Sequence, residues 1–265
     1  MAAVNEEIAD GSVLRLIEMF LKTGILADGV ELAPEEGTPQ GGPLSPLLAN
    51  IYLHPLDATL EAGGLRFVRY ADDFVVFART RQEAEEALTL IWDLLDTLKL
   101  SLNEEKTRIV HIDDGFDFLG FRHFHHRSGG LQRVVRKKSQ AKFRDAVRER
   151  SKRHAGQRPR KLKSCKVAKL QRDQRLTRMI EALNRYLRSW YGYFRAGTRF
   201  VAYDFKDLDG FVRRRLRSAI LGRFARTKEQ STVLTNRLLA DLGLTSLVEL
   251  HEAHLSEQLP PPISG

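Results

Sequence analysis

Two aspartates, in the segment Tyr70-Ala71-Asp72-Asp73, stand between short alternating apolar runs at residues 65–69 and 74–78. Runs of this kind on either side of a few turn residues predict a β-hairpin with the aspartates at its tip. Two carboxylates about 4 Å apart repel by roughly 4 kcal/mol at an effective dielectric near 20, so a site that keeps both ionised usually holds a divalent cation. Magnesium with a phosphate substrate is the natural interpretation. An adjacent pair of aspartates is also ordinary turn composition.

A loop rich in glycine and proline precedes the hairpin. Residues 37–46 read GTPQGGPLSP and continue into an apolar stretch at 47–60. Ser45 can cap a helix over that stretch, with Pro46 in its first turn. Glycines let the backbone approach a nucleotide or template strand closely, and a helix N-terminus favours phosphate. Gln40 would be the side chain that contacts the substrate, although such a loop is also common as a plain connector.

Four segments occur in the order and approximate spacing of one family. They are GTPQGGPLSPLLANIYL from Gly37, YADD from Tyr70, LNEEKT from Leu102 and FLGF from Phe118. The chain therefore resembles the group II intron reverse transcriptase/maturase family. Residues 183–197, which read LNRYLRSWYGYFRAG, are similar to the signature of the maturase or X domain that follows the polymerase in that family.

The resemblance implies RNA-templated DNA synthesis with two magnesium ions, which activate the primer 3′ hydroxyl and neutralise the leaving pyrophosphate. It implies that Asp72 and Asp73 are catalytic metal ligands. Lys106 would face the leaving group, although a lysine after two glutamates is also an ordinary surface charge. The residues that would border the nucleotide and template are Pro39, Gln40, Gly41, Gly42, Ser45, Tyr70 and Ala71. The residues that would hold the primer end are Leu119, Gly120 and Phe121.

Charge divides the chain in two. Residues 1–120 hold 9 Lys and Arg against 22 Asp and Glu, whereas residues 121–265 hold 34 against 12. This division predicts an acidic metal-binding module joined to a module that binds a polyanion, and the resemblance implies that the polyanion is intron RNA. The candidates for RNA contact are Arg185, Arg188, Arg195, Arg213, Arg214, Arg215 and Arg217. A solvated charged face is the alternative for any one of them.

Periodicity and the resemblance together predict an α+β fold: a partial polymerase palm, with helices on a small antiparallel sheet, followed by an α-helical thumb and maturase (X) domain. Helices are predicted at residues 4–23, 80–99, 135–153, 170–193 and 211–224, and strands at 108–112 and 116–124. Thr80 and Glu83 form a capping-box pattern. In the helix that follows, four apolar residues recur at helical spacing and are predicted core: Leu88, Ile91, Leu95 and Leu98. Four apolar residues recur at helical spacing and could be core: Leu183, Leu187, Trp190 and Phe194.

We expect four domains along the chain. They are the partial palm at 1–127, a thumb-like basic helical region with a linker at 128–170, the maturase domain at 171–255 and a disordered tail at 256–265. A single cysteine, Cys165, excludes an internal disulfide framework and a zinc site made of several thiolates, as in a reducing compartment. The sequence shows neither a signal-peptide pattern nor an apolar run long enough to span a membrane, so we expect a cytoplasmic protein without a membrane partner.

One departure from the family affects the expected activity. The magnesium pair of a polymerase normally draws on a further aspartate from an upstream strand, and family members carry an upstream fingers region. Residues 1–23 resemble neither, and Asp10, Asp28 and Asp57 lack the expected strand context. We therefore expect little primer extension by the lone chain. The expected partners are intron RNA, a DNA primer or target, nucleotides, and an upstream fingers and palm segment in trans. The alternative is a non-catalytic RNA-binding splicing factor or a decayed intron remnant.

Overall fold

The structure, a computed structural model, describes residues 1, 4–5, 8–22, 25–27, 30–32, 44–127, 130–152, 170–221 and 233–258. The chain divides into two compact units, Met1–Ile109 and Val110–Gly265. Several predicted features lie outside the described residues: the glycine loop with Pro39, Gln40, Gly41 and Gly42, most of the linker before residue 170, and the end of the tail.

The first unit combines helices with short antiparallel strand pairs. Helix α1 spans Gly11–Lys22, strands β1 (Ile25–Ala27) and β2 (Val30–Leu32) pair with each other, and helix α2 spans Ser45–Ala62. Strands β3 (Arg66–Tyr70) and β4 (Asp73–Phe77) form the predicted hairpin, and helix α3 spans Arg81–Thr97. The fold class is therefore α+β, as predicted.

Two helix starts test the capping predictions. The Thr80 side chain accepts a hydrogen bond from the Glu83 amide (3.1 Å), and the Glu83 carboxylate accepts one from the Arg79 amide (2.6 Å). The Thr80 half of the capping box is therefore confirmed, while the glutamate reaches one residue further back. At α2 the predicted Ser45 cap is wrong: Ser45 is the first residue of the helix, and Leu44, which has helical backbone angles, takes the cap position without a side-chain hydrogen bond.

Two small clusters form the core of the first unit. Leu56 and Leu60 of α2 pack with Ile91 and Leu95 of α3, and one face of the hairpin covers them. A second cluster joins the N-terminal residues and α1 to the start of α2 through Val4, Ile17 and Leu48. Of the four apolar residues predicted as core, Ile91, Leu95 and Leu98 belong to this cluster, whereas Leu88 is half-buried outside it.

The second unit contains a three-stranded antiparallel sheet and five helices of at least six residues within the described ranges. The strands, in the order β5-β6-β7, are Phe116–Phe118, Phe121–His126 and Gly130–Val135. The helices are α4 (Lys137–Arg150), α5 (Gln174–Phe194), α6 (Val201–Leu221), α7 (Asn236–Asp241) and α8 (Leu247–Gln258).

Four predicted elements differ in the structure. The helix predicted at 4–23 is interrupted at residues 8–10, and α1 begins at Gly11. Residues 108–112 form no strand, and their one backbone hydrogen bond to β6 runs from the His125 amide to the Ile112 carbonyl at 3.4 Å. The strand predicted at 116–124 is a hairpin, because the chain turns at Leu119 and Gly120. Helix α6 starts at residue 201 rather than 211, since burial of Phe205 and Leu208 outweighs the cost of the helical Gly210.

A continuous apolar core fills the second unit. The α5 residues at helical spacing that we expected to be core are all buried: Leu183, Leu187, Trp190 and Phe194. They pack against α4, α6 and α8 around fully buried Phe143 and Phe205. Asp209 of α6 fixes the start of α8, because its carboxylate accepts hydrogen bonds from the amides of Leu247 (2.9 Å) and Val248 (3.1 Å).

Candidate functional site

The hairpin of β3 and β4, which we call the aspartate hairpin, has a two-residue loop of Ala71 and Asp72. Tyr70 and Asp73 close the loop as the last pair of the ladder. Ala71 has a φ of 55°, a backbone conformation that a residue with a Cβ adopts at a cost of about 1–2 kcal/mol. All four residues of the motif are exposed. The tip therefore presents the two aspartates to solvent, as predicted.

The two faces of the aspartate hairpin have different surroundings. Phe67, Phe74 and Val76 pack against the core of the first unit. On the opposite face, Val68, Tyr70 and Phe77 keep 48%, 66% and 45% of their surface exposed. Asp73 faces Tyr70 in the register and so shares this open face. An apolar face of this extent beside acidic residues indicates an interaction surface.

An ion pair between Arg69 and Asp57 of α2 anchors the tip. The two guanidinium–carboxylate contacts measure 2.8 and 2.5 Å, and further hydrogen bonds reach Asn50 and the Ala71 carbonyl, both at 2.9 Å. The hydrogen bonds that Arg69 donates to the Asp57 carboxylate raise the pKa of Arg69. Because Asp57 is engaged in this pair, it is not a free carboxylate for a metal. Asp10 is also engaged, since it caps α1 through the Ser12 amide at 2.7 Å.

The carboxylates of the tip have the donor chemistry that magnesium requires, but they are few. Within the described ranges, no group of three or more His, Cys, Asp or Glu side chains could hold a metal ion. A magnesium ion needs about six oxygen ligands at near-ideal octahedral positions. Asp72 and Asp73 can therefore supply part of a metal site, and the described residues provide no further cluster of ligands beside them.

The other predicted nucleotide contacts are spread over the first unit. Pro39, Gln40, Gly41 and Gly42 lie outside the described residues, and Ser45 opens α2. Lys106 is exposed on a turn, where its amide bonds both the backbone and side-chain oxygens of Asn103 at 3.1 Å. Among the described residues, the Lys106 side chain forms no ion pair with Asp72 or Asp73, so its role stays a prediction.

The predicted primer-holding residues form the tip of a second hairpin, made of β5 and β6, which we call the glycine hairpin. Leu119 and Gly120 have φ angles of 46° and 82°, the sign pattern of a type I′ turn. The Leu119 carbonyl accepts a hydrogen bond from the Tyr193 hydroxyl (2.9 Å), and the Gly120 carbonyl accepts one from the Ser139 hydroxyl (3.0 Å). Phe121 is buried.

The end of α5 packs directly on this glycine hairpin. The rings of Phe121 and Phe194 lie 5.1 Å apart, and a Cβ added to Gly120 would sit 3.3 Å from the Phe194 ring. The Tyr193 ring is stacked on Phe121 at 6.1 Å and also contacts Phe194, with centroids 4.9 Å apart. The maturase-like signature and the predicted primer-holding turn therefore form one packed structure. Sequence separation of more than 70 residues hides this contact from any local pattern.

Six of the seven predicted RNA-binding arginines are at least partly exposed, and one is buried. Arg185, Arg188, Arg195 and Arg214 are exposed, and Arg213 and Arg215 are partly exposed. Arg217 departs from the prediction. It is only 8% exposed, and its guanidinium donates to the Leu234 carbonyl and to Asn236, both at 2.7 Å.

Burial also lowers the pKa of Arg217, and the neighbouring Arg213 and Arg214 lower it further. The side chain holds the end of α6 to the segment before α7. We therefore withdraw Arg217 from the RNA-contacting set.

Helix α4 contributes cations that were not singled out from the sequence. Arg150 lies over the Tyr186 ring at 4.3 Å, and Arg148 lies over the Phe211 ring at 5.3 Å. These arginines help to join α4 to α5 and α6, as cation–π contacts do. The exposed lysines of the same helix are Lys137, Lys138 and Lys142.

Comparison with known proteins finds a family match in each half of the chain. Residues 9–123 match the family described as reverse transcriptase (RNA-dependent DNA polymerase), and residues 160–238 match the group II intron, maturase-specific domain. The first match defines the chain as a reverse transcriptase-class protein, a family that uses divalent metal ions. With the second match, the chain belongs to the group II intron reverse transcriptase/maturase family, as the motifs predicted.

Individual relatives give the same result. The chain is 34% identical to protein YkfC of Escherichia coli K12 over 181 residues, which cover 55% of this chain and 48% of YkfC. It is 30% identical to the group II intron-encoded protein LtrA of Lactococcus lactis over 197 residues, 49% of this chain and 33% of LtrA. It is 36% identical to the retron Ec86 reverse transcriptase of E. coli over 75 residues. The chain thus spans half or less of the length of these relatives.

Across the ranges that the structure describes, no helix combines the length and apolar character needed to cross a lipid bilayer.

Proposed function

We propose that this chain is part of a group II intron-encoded protein that copies RNA into DNA by two-metal nucleotidyl transfer and binds intron RNA to assist splicing. The exposed, anchored tip of the aspartate hairpin carries the proposal, because it presents Asp72 and Asp73 where a primer and a nucleotide could reach them. The reverse transcriptase match across this hairpin and the maturase match in the basic half support it. A cytoplasmic location follows from the proposed substrates.

The metal that we propose for the tip is magnesium, as two ions in the complete enzyme. Bound magnesium would activate the primer hydroxyl and stabilise charge on the leaving pyrophosphate. Asp72 and Asp73 would hold it through carboxylate oxygens, the donor type that magnesium prefers. Arg69 fixes the strand that carries the tip by its ion pair with Asp57, so the carboxylates are offered in a defined position.

Other residues of the chain would position the substrates. Tyr70 and Ala71 would border the incoming nucleotide together with the loop at residues 39–42 and Ser45. Lys106, which is exposed, would place a positive charge beside the leaving phosphates. The turn of Leu119, Gly120 and Phe121 would hold the primer end, with its backbone fixed by the helix behind it.

We propose an upstream fingers and palm segment in trans as a partner of the first unit. The open face of the aspartate hairpin supports this, since Val68, Tyr70 and Phe77 leave an apolar surface uncovered. Helix α1 adds Leu16 and Met19, which are 55% and 58% exposed. Such a partner would also supply the carboxylate that the tip lacks for a complete metal site.

Intron RNA is the proposed partner of the basic half. Phosphate contacts from exposed arginines are its expected basis, and affinity should fall steeply with salt as counterions are released. The proposed contact residues are Arg185, Arg188, Arg195, Arg213, Arg214 and Arg215.

Primer extension tests the catalytic proposal. The chain is assayed with an RNA template, a DNA primer, nucleotides and magnesium, alone and with a separate polypeptide that carries the fingers and upstream palm of a complete reverse transcriptase. We expect little extension by the lone chain and clear extension by the pair. Asp72→Asn should abolish the extension, whereas Asp96→Asn, an exposed aspartate of α3, should not.

Two outcomes would separate the alternatives. Extension that survives Asp72→Asn would contradict the proposed metal site. Salt-sensitive binding of intron RNA without any extension by the pair would favour the non-catalytic splicing factor.

A further inference from the structure

A cluster of planar side chains lies where the chain enters α6. The Phe200 and Tyr203 rings stack with centroids 6.3 Å apart and planes 27° apart, and the His126 ring lies 4.9 Å from Phe200. The guanidinium of Arg199 lies over the Phe200 ring at 5.0 Å. We call Arg199, Phe200 and Tyr203 the ring platform. None of its members belongs to a motif that the family resemblance singled out.

The outer ring of the platform is unusually exposed. Tyr203 keeps 72% of its surface accessible, the highest value for any large apolar or aromatic side chain among the described residues. Behind it, Phe200 is partly covered by His126 and Arg199. An aromatic face that is supported from behind and open in front is suited to receive another planar group.

Hydrogen bonds to the backbone of β7 hold the platform on the three-stranded sheet. The Thr198 amide donates to the Arg133 carbonyl of β7 at 2.9 Å, and the Arg133 amide donates to the Thr198 hydroxyl at 3.0 Å. One residue after Tyr203, Asp204 accepts a hydrogen bond from the Val135 amide at 2.9 Å. Both ends of the platform are therefore fixed, and a ligand would not have to order it first.

The charge around the platform favours an anionic ligand. Arg199 belongs to it, Lys206 follows Tyr203 by one helical turn and is exposed, and Arg127 follows His126 and is exposed. The two nearby carboxylates are engaged, since Asp207 pairs with Arg144 at 2.6 Å and Asp204 accepts hydrogen bonds from Val135 and Gln140 at 2.9 Å. These cations lie in the half of the chain with 34 Lys and Arg against 12 Asp and Glu. A planar, anionic polymer satisfies both the rings and the charges, and single-stranded RNA has both properties.

We infer that the ring platform is a binding site for an unpaired RNA base, which stacks on Tyr203 while Arg199 contacts an adjacent phosphate. The inference rests on the proposed RNA binding and deepens it, since it names the form of RNA that this part of the surface recognises. A base inside a duplex is already stacked on both faces, so the platform should select single strands, loops or bulges. Stacking on a ring face discriminates little between bases, so weak sequence preference is expected.

The experiment measures the affinity of the full chain for three RNA probes of equal length: a single-stranded oligouridine, an oligomer with the same backbone and abasic positions, and a duplex. Five proteins are compared: wild type, Tyr203→Ala, Tyr203→Phe, Leu131→Ala and, for salt dependence, Arg199→Gln. Leu131 is the matched control, because it is 54% exposed and pairs with His125, so it faces the other side of the sheet from His126.

We expect Tyr203→Ala to weaken oligouridine binding about tenfold, since stacking on an aromatic ring contributes about 1–3 kcal/mol per base. Tyr203→Phe keeps the ring and should bind within about twofold of wild type. Leu131→Ala should match wild type, and none of the three variants should change binding to the abasic oligomer or the duplex. Arg199→Gln should reduce the salt dependence by about one phosphate contact.

Three results would overturn the inference. Unchanged oligouridine affinity in Tyr203→Ala would remove the platform from the interface. An equal loss on the abasic oligomer or the duplex would mean that Tyr203 acts on the backbone or on folding rather than on a base. If wild type binds none of the probes, the proposed RNA binding fails as well. This result differs from the first two because it is seen with the wild-type protein, without any substitution.

Discussion

The two hairpins of this chain have similar strands and different supports. The aspartate hairpin has one packed face, one open face, and a tip held by the Arg69–Asp57 ion pair. The glycine hairpin has its tip fixed by hydrogen bonds from Tyr193 and Ser139 and by the Phe194 ring. The aspartate hairpin leaves its tip and one face exposed to solvent. The tip of the glycine hairpin packs instead against the end of α5 in its own unit.

This difference follows from what each tip presents. The proposed metal binding requires accessible carboxylates, and the aspartate hairpin leaves its tip exposed. The proposed hold on a primer end would gain from a rigid turn, and aromatic packing supplies that rigidity without adding charge. The comparison predicts that changes behind the glycine hairpin cost stability, whereas changes on the open face of the aspartate hairpin cost little.

The largest expected effect comes from removing the support of the glycine hairpin. Phe194→Ala should lower the free energy of unfolding of the second unit by about 3–4 kcal/mol, because a buried aromatic ring is replaced by a cavity. Tyr70→Ala, at the open tip, should change stability by less than about 0.5 kcal/mol. Chemical denaturation of both variants measures the difference, and equal losses would break the comparison.

A smaller effect is expected at the turn itself. Gly120→Ala should destabilise by about 2 kcal/mol, since it forces a side chain into positive φ and against the Phe194 ring. Gly192→Ala is the control on the same helix end, where an added Cβ meets nothing within 4 Å, and it should be neutral or stabilising by up to about 1 kcal/mol. If both variants behave alike in thermal unfolding, the turn is not held as tightly as we argue.

The anchor of the aspartate hairpin should matter less than the support of the glycine hairpin. Asp57→Asn should cost about 1–2 kcal/mol, because the Arg69 side chain is only 11% exposed and would lose its charge partner. Arg81→Gln breaks an exposed ion pair with Glu85 in the same unit and should cost less than about 0.5 kcal/mol. A loss for Asp57→Asn as small as that for Arg81→Gln would show that the tip does not depend on this pair.

The smallest expected effect is a pH dependence behind the glycine hairpin. Desolvation lowers the pKa of His251, whose Nδ1 lies 3.4 Å from the Tyr191 hydroxyl of α5. The folded state therefore favours the neutral imidazole, so this contribution to stability is present above the unfolded pKa near 6.5 and is lost as pH falls through it to the folded value. His251→Gln should flatten the decline of stability between about pH 7 and 5. A decline as steep as that of wild type would contradict this assignment.

Local patterns predicted the parts of the fold that local interactions determine. The aspartate hairpin follows from its alternating runs, α3 from its Thr80 cap and leucine spacing, and the α5 core from four apolar positions. The prediction of a strand at 108–112 is wrong. Residues with high β-propensity form a strand only when they pair with another strand, and these residues have no such pairing within the described ranges. The sequence predicts Arg217 at the surface because nothing local distinguishes it from the neighbouring arginines at 213–215. Its partner, the Leu234 carbonyl, is 17 residues away.

For the candidate site, too, the sequence predicts the features that neighbouring residues determine and misses those that depend on packing. The motif identified Asp72 and Asp73, but the engagement of Asp57 with Arg69 depends on the packing of α2 against the hairpin. No local sequence pattern predicts the ring platform, because Phe200 and His126 are brought together by the contact of Thr198 with β7.

The most direct test of the central claim is paramagnetic broadening of backbone amide signals by Mn²⁺, which can occupy a magnesium site. The chain offers a matched control, since Asp113 and Asp114 are a second adjacent, exposed pair of aspartates. We predict that broadening is strongest at residues 71–74, is reversed by excess Mg²⁺, and disappears in Asp72→Asn combined with Asp73→Asn. Equal broadening at both aspartate pairs would mean that the hairpin tip is ordinary turn composition and would contradict the account.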